Sequence, residues 1–275
     1  MRIAITGHKG QLGRELLRTL HEDELLGLDI PECDITDAAS VAAAIVGFGP
    51  DVVIHSAALT DVERCAQEPE LALRVNGLGT RNVALACQRC GAALLAVSTN
   101  EVFDGARGSA YYEHEPPNPI NAYARSKVAG EVYARMLLSR LYIVRTAWLY
   151  ARGGNHFPSK IVQAADRHGR LRVVCDEISS PTYAPDLAEA IAALIRTEQY
   201  GIYHFTNEGA CSRYEFARRI LALAGRADVP IEPITSDQWP RASKPPLHCV
   251  IRNLAGAQIG ITLRHWDEAL RDYFA

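Results

Sequence analysis

Tyr123-Ala124-Arg125-Ser126-Lys127 sets a phenol and an ammonium four residues apart, and on a helix those side chains share one face a turn apart. A phenol that ionises near ~10 in water is a poor acid or base at neutral pH, and a neighbouring lysine charge lowers that value by stabilising the phenolate. Such a pair can protonate a carbonyl oxygen as hydride reaches the carbon. The pentapeptide alone recurs by chance. Thr99 stands twenty-four residues before the tyrosine, in Ser98-Thr99-Asn100-Glu101-Val102-Phe103-Asp104-Gly105. It ends an apolar run, where its hydroxyl can hydrogen-bond the same oxygen.

A hydride needs a carrier, and the first residues offer a place for one. Gly7-His8-Lys9-Gly10-Gln11-Leu12-Gly13 follows the apolar run Met1–Thr6 and precedes leucines at helical spacing, Leu12, Leu16, Leu17 and Leu20. A glycine turn between strand and helix lets the backbone approach a pyrophosphate, whose charge the helix start stabilises. Asp29, twenty-two residues after Gly7, ends the second strand pattern, where a carboxylate can accept hydrogen bonds from ribose hydroxyls. That favours NADH. Lys9 in the turn leaves NADPH open, because an ammonium can pair with a 2′-phosphate. Asp34 and Ile35 would flank the adenine. The alternative for Asp29 is a turn residue at a strand end. His8 and His55 read as packing or hydrogen-bonding residues, and none of the nine histidines has ligand spacing, so no metal is expected.

The elements that must hold these groups alternate. Strands are expected at Met1–Thr6, Leu25–Asp29, Val52–His55, Ala92–Ser98 and Leu141–Arg145. Helices are expected after Gly10 and at Ala38–Val46, Pro69–Cys90 and Tyr123–Leu138. This order implies an α/β, doubly wound and mostly parallel sheet of the Rossmann type over residues 1–150. Beyond it the apolar runs shorten, with Pro-containing stretches at Ser179–Pro185 and Gln238–Pro246. Residues 151–275 are therefore expected to form a smaller substrate-binding lobe, with some segments exchanged back to the first domain. Ligands of such sheets bind at the carboxyl ends of the strands, and the second lobe would cover that edge.

Composition narrows the partners. The 275 residues carry 29 Lys+Arg against 32 Asp+Glu, a net charge of −3, which argues against nucleic acid or an anionic membrane surface. At 48% hydrophobic and 22% charged residues the chain is of ordinary globular make-up. No run approaches the ~20 apolar residues of a membrane span, and a cytoplasmic protein is expected. The seven cysteines, including the Cys87-x-x-Cys90 pair, read as reduced structural thiols. Helices of this fold often pair, and a homodimer is compatible with the pattern.

Taken together, the chain resembles the extended short-chain dehydrogenase/reductase family. The likeness runs through TGHKGQLG at Thr6–Gly13, HSAALTDVERCAQEPELALRVN at His55–Asn76, STNEVFDG, PINAYARSKVAGE at Pro119–Glu131, RTAWLY at Arg145–Tyr150 and SSPTYAPDLA at Ser179–Ala188. Within that family it is most similar to the reductases of dTDP-linked 4-keto-6-deoxyhexoses. The resemblance implies NADPH- or NADH-dependent reduction of a nucleotide-sugar ketone, dTDP-4-dehydrorhamnose to dTDP-L-rhamnose. Thr99, Tyr123 and Lys127 would be catalytic. Gly7, Gly10, Gln11, Leu12, Asp29, Asp34, Ile35, Ala57, Ala58, Tyr123 and Lys127 would surround the cofactor, and Thr60, Val62 and Trp148 would face the sugar. For Trp148 the alternative is a packing aromatic.

Three departures bear on substrate choice. The family's usual STDYVFDG is here STNEVFDG, so Glu101 replaces a tyrosine and either contacts the hexose or sits on a solvated rim. Lys244-Pro245 and His248-Cys249 stand where relatives often have Arg-Pro and Tyr-Ser, and Lys244 could meet phosphate as a point charge. STNE also has some likeness to the Thr-Asp-Glu of nucleotide-sugar dehydratases, but Asn100 cannot donate a proton as a carboxylic acid does. The remaining alternatives are another nucleotide-sugar 4-ketoreductase and a non-catalytic NAD(P)-binding regulatory subunit, like that of methionine adenosyltransferase.

Overall fold

Apolar runs four to seven residues long make the six strands of the central sheet: β1 (Arg2–Thr6), β2 (Glu24–Leu28), β3 (Val52–His55), β4 (Ala93–Thr99), β5 (Leu141–Thr146) and β6 (Gly201–His204). A computed structural model describes all 275 residues. The strands are parallel throughout, in the order β6-β5-β4-β3-β1-β2. The chain therefore leaves β1 in opposite directions to reach β2 and β3, and the crevice beyond those carboxyl ends is the switch point where such sheets bind ligands.

Successive side chains in a strand point to opposite faces, and a sheet buried on both faces needs both sets apolar. Ile3, Ile5, Val52, Ile54 and Leu95 pack on one face, under α1 (Gln11–Thr19) and the Ala184–Leu194 helix with Leu16 and Ile191. Ala4, Val53, Leu94 and Ile143 pack on the other, under α2 (Ala38–Phe48) and the helices Gly79–Cys90 and Ala122–Leu137. Each fully buried Leu or Ile contributes roughly 1.5–3 kcal/mol. Local signals start the helices: the Asp37 carboxylate accepts from Ala39 N at 2.9 Å, and Asn121 Oδ1 accepts from Ala124 N at 2.8 Å.

The helix expected over Pro69–Cys90 is not continuous. Pro69–Ala72 and Gly79–Cys90 are α-helical, and Leu73–Leu78 between them is a π-helical turn. That turn carries Asn76 against the Ala122–Leu137 helix so closely that a Cβ on Gly130 would lie 2.7 Å from Asn76 O. Asn76 Nδ2 donates to Leu59 O at 3.0 Å and Ser126 Oγ at 2.9 Å, and Oδ1 accepts from Leu59 N at 2.8 Å. The widened turn thus fixes the loop after β3, as π-turns near functional sites often do.

Beyond residue 150 the chain divides its loyalties. Ala184–Leu194 and β6 complete the layers of the sheet. The helices Phe157–His168, Arg213–Leu223 and Trp266–Phe274 pack around Tyr150, Phe216 and Ile220 in a separate core, with a parallel strand pair Leu171–Val174 and Ile231–Ile234. No helix is long and apolar enough to cross a membrane.

Candidate active site

Between the sheet's carboxyl edge and that second core lies a cleft of about 1980 Å³. Every residue expected to be catalytic, to surround the cofactor or to face the sugar borders it, whereas Lys9 and Lys244 do not. Gly7 and Gly10 come from the turn between β1 and α1, Gln11 and Leu12 from the start of α1, and Asp29, Asp34 and Ile35 from the segment after β2. Ala57, Ala58, Thr60 and Val62 follow β3, Thr99 ends β4 and Glu101 follows it, Tyr123 and Lys127 begin the Ala122–Leu137 helix, and Trp148 follows β5.

At one end the backbone forms a cradle. Gly7 has φ 74°, its N–H donates to Leu28 O at 2.7 Å, and an added Cβ would lie 2.7 Å from Ala57 N. Only glycine permits that conformation and approach together. Gly10 caps α1 without a side-chain hydrogen bond, so the first N–H groups of the helix keep no intrahelical partner. Gln11 Oε1 is buried without a partner beside them. The N–H donors and the close backbone fit the diphosphate of a dinucleotide. Asp29 Oδ2 accepts from Lys9 N at 3.0 Å, while Lys9 Nζ donates to Ile30 O at 2.9 Å and pairs with Glu32 at 2.7 Å. The Lys9 bond lowers the Glu32 pKa and puts a positive charge beside the Asp29 end of the cradle. His55 is buried between Thr6 Oγ1 at 2.7 Å and Thr80 Oγ1 at 3.0 Å, and burial pushes its pKa to about 3. It is a neutral strut under the cradle. His8 packs against Gly27.

At the centre Thr99, Tyr123 and Lys127 converge. The Thr99 hydroxyl accepts from Glu101 N at 3.2 Å, which caps the short turn after β4. Lys127 Nζ donates to Val97 O at 2.8 Å, so β4 positions both the hydroxyl and the ammonium. Here the structure corrects one expectation. The Tyr123 pKa is raised above its usual value, by burial first and by the Glu101 carboxylate next, and a hydrogen bond with Thr99 opposes this. Burial outweighs the attraction of Glu131 and pushes the Lys127 pKa down to about 8, which still leaves the ammonium mostly charged at neutral pH. A half-buried phenol next to a carboxylate holds its proton, which is the state a proton donor needs. Behind Lys127, Glu131 and Arg145 are 4% and 1% exposed and bonded twice, at 3.0 and 2.7 Å, and Ser98 Oγ donates to Glu131 at 2.5 Å.

The far wall holds residues that the sequence reading missed. Arg213 stacks its guanidinium 3.6 Å from the Trp148 ring centre and 4.9 Å from that of Phe157. Burial lowers its pKa to about 10, which leaves it charged at neutral pH. Arg241 also borders the cleft and pairs with Glu177, whose other oxygen is 3.8 Å from Arg213. Lys160, Arg170 and Arg172 continue the basic wall. Nothing local marks them: Arg213 follows the Ser212 cap of an ordinary helix. Lys244, expected to offer a charge to phosphate, is exposed and outside the cleft; its backbone oxygen accepts from Asn121 Nδ2 at 3.3 Å. Arg241 supplies the cation from that stretch. Trp148 has φ 43°, a left-handed conformation that costs a bulky residue on the order of 1–3 kcal/mol and tends to occur at ligand sites.

Glu101 is no rim residue. It is half-buried in the cleft and accepts from Asn121 Nδ2 at 2.7 Å. Asn100 is buried, its amide donating to Ser179 Oγ at 3.1 Å and Cys249 O at 2.8 Å, so it joins the two lobes. All seven cysteines are free thiols, and burial raises the Cys87 pKa, which suits a packing role.

A family model described as the RmlD substrate binding domain matches residues 1–275. The chain is 38% identical over 274 residues to the spore coat polysaccharide biosynthesis protein SpsK of Bacillus subtilis, covering 99% of this chain and 96% of that one. It is 39% identical over 278 residues to the dTDP-4-dehydrorhamnose reductase of Mycobacterium tuberculosis, covering 98% and 91%. The crystal structure of dTDP-4-dehydrorhamnose reductase from Bacillus anthracis in complex with NADP superimposes with a TM-score of 0.96, at 37% identity over 99% of this chain and 98% of that one.

Proposed function

The chain belongs to the RmlD substrate binding domain family, and on that premise we propose that it reduces the 4-keto group of dTDP-4-dehydrorhamnose, giving dTDP-L-rhamnose, with NADPH as reductant. The observation that carries the reading is the convergence of Thr99, Tyr123 and Lys127 beside a glycine cradle, in one cleft with a basic far wall. NADPH when bound supplies the hydride. Gly7, Gly10, Gln11 and Leu12 hold its diphosphate, Asp29 and Lys9 its adenosine ribose, Asp34 and Ile35 its adenine, and Ala57 and Ala58 its inner side.

Tyr123 gives its proton to the C4 oxygen as negative charge develops there. The high proton affinity that burial and Glu101 impose keeps the phenol loaded until then. Lys127 places its charge behind the phenol, where it stabilises the phenolate once formed, and Thr99 orients the carbonyl. Arg213 and Arg241 meet the substrate diphosphate, and Thr60, Val62, Glu101 and Trp148 border the sugar. The protein acts in the cytoplasm, a setting that suits its free thiols. It pairs as a homodimer through Leu73, Val132 and Met136, large apolar side chains left exposed on neighbouring helices, Met136 by 77%.

The test is loss of NADPH and NADH absorbance with dTDP-4-dehydrorhamnose, beside Tyr123→Phe. Turnover falls roughly 10²–10⁴-fold in the variant while NADPH still binds. Tight nucleotide binding without turnover, or undiminished turnover in Tyr123→Phe, overturns the assignment.

A further inference from the structure

Two elements of the site are tied together by a side-chain hydrogen bond. Glu101 lies two residues after Thr99 and Asn121 two before Tyr123, and Asn121 Nδ2 donates to Glu101 Oε2 at 2.7 Å. The bond holds the carboxylate at the end of the cleft where the phenol and the threonine hydroxyl meet. Its other oxygen, Oε1, has no protein partner. The nearby cations attract it without an ion-pair contact, because Arg213 and Arg241 both make theirs with Glu177.

An unpaired carboxylate and a protonated phenol facing one ketone make a base and an acid on the same substrate. We propose that Glu101 removes a hydrogen from a carbon next to the C4 ketone, so that the protein enolises its substrate apart from hydride transfer. The inference rests on the 4-keto-sugar reading above. The α-hydrogen passes as a proton to Glu101, and the C–H electron pair becomes the carbon–carbon double bond. The carbonyl π pair moves to the C4 oxygen, which takes the Tyr123 proton; each movement then reverses. Nothing is oxidised or reduced. Return of the proton by the same carboxyl restores the same epimer, so the event is visible only as hydrogen exchange. Burial raises the Glu101 pKa above the usual carboxylate value, against the Asn121 bond and the more distant Arg213 and Arg241, and this strengthens it as a base.

The experiment uses the protein with NADP⁺, which cannot deliver hydride, and dTDP-4-dehydrorhamnose in D2O, followed by mass spectrometry and proton NMR. The expected result is one deuterium gained per sugar, roughly 10²-fold or more faster than without protein. Glu101→Gln and Glu101→Tyr bring the rate to the blank, and Glu101→Asp, which keeps a carboxylate, recovers part of it. Thermal melting and NADPH fluorescence show that each variant is folded. Exchange no faster than the blank, in a preparation that reduces the same ketone with NADPH, overturns the inference alone. Wild-type exchange in a folded Glu101→Gln variant also overturns it. Absence of both exchange and reduction overturns the function reading, and the inference with it.

Discussion

Replacing Lys127 by methionine stabilises the protein at neutral pH while removing a group proposed to be catalytic. Lys127 is 7% exposed, and burial takes its pKa from the ordinary 10.5 to about 8. At ~1.36 kcal/mol per unit, the charged form is disfavoured in the fold by roughly 3 kcal/mol. Because the folded value lies below the unfolded one, the unfolded chain binds more protons between about 8 and 10.5. Stability therefore rises with pH through that window; the contribution is full above the unfolded value and lost as pH falls through the folded one. Methionine has a similar length and no charge, but leaves Val97 O without its 2.8 Å donor, a loss of about 1–2 kcal/mol. The net gain at pH 7 is about 1–2 kcal/mol, or ~2–4 °C in Tm for a chain of this size. Urea midpoints and thermal melts of wild type and Lys127→Met at pH 7 and pH 10 read it, the difference between the two proteins cancelling every other titrating group. The variant is more stable at pH 7 and its advantage shrinks at pH 10, while turnover falls on the order of 10²-fold. A variant less stable at pH 7, or an advantage unchanged at pH 10, refutes the reasoning.

Glu131→Ala leaves the Arg145 guanidinium, 1% exposed, without its carboxylate and lowers unfolding free energy by about 3–5 kcal/mol; a urea midpoint close to that of wild type contradicts this. Gly7→Ala forces a side chain into φ 74° and against Ala57 N, which costs about 1–3 kcal/mol of stability. In a fluorescence titration it loses NADPH affinity, whereas unchanged binding and melting would remove the cradle from the account.

Periodicity and residue type determined much of this protein. Strands buried on both faces are apolar at most positions, so β1, β3, β4 and β5 stand out as apolar runs, and Gly7 and the Tyr123–Lys127 pair carry their chemistry in local spacing. Tertiary structure decided what depends on distant segments meeting. Gly201–His204 becomes β6 because β5 offers an unpaired edge, and the π turn at Leu73–Leu78 goes with the packing of Asn76 against Gly130; neither has a local signature. Arg213 and Arg241 reach the cleft from more than a hundred residues beyond Thr99. Their helix and loop look like any others until the second core turns them inward. The spacing of Tyr123 and Lys127 places them side by side, but burial sets the proton affinity of each, raising that of the phenol and lowering that of the ammonium. Desolvation depends on the whole surrounding fold, and in this cleft it outweighs the neighbouring charge that sequence spacing brings to mind.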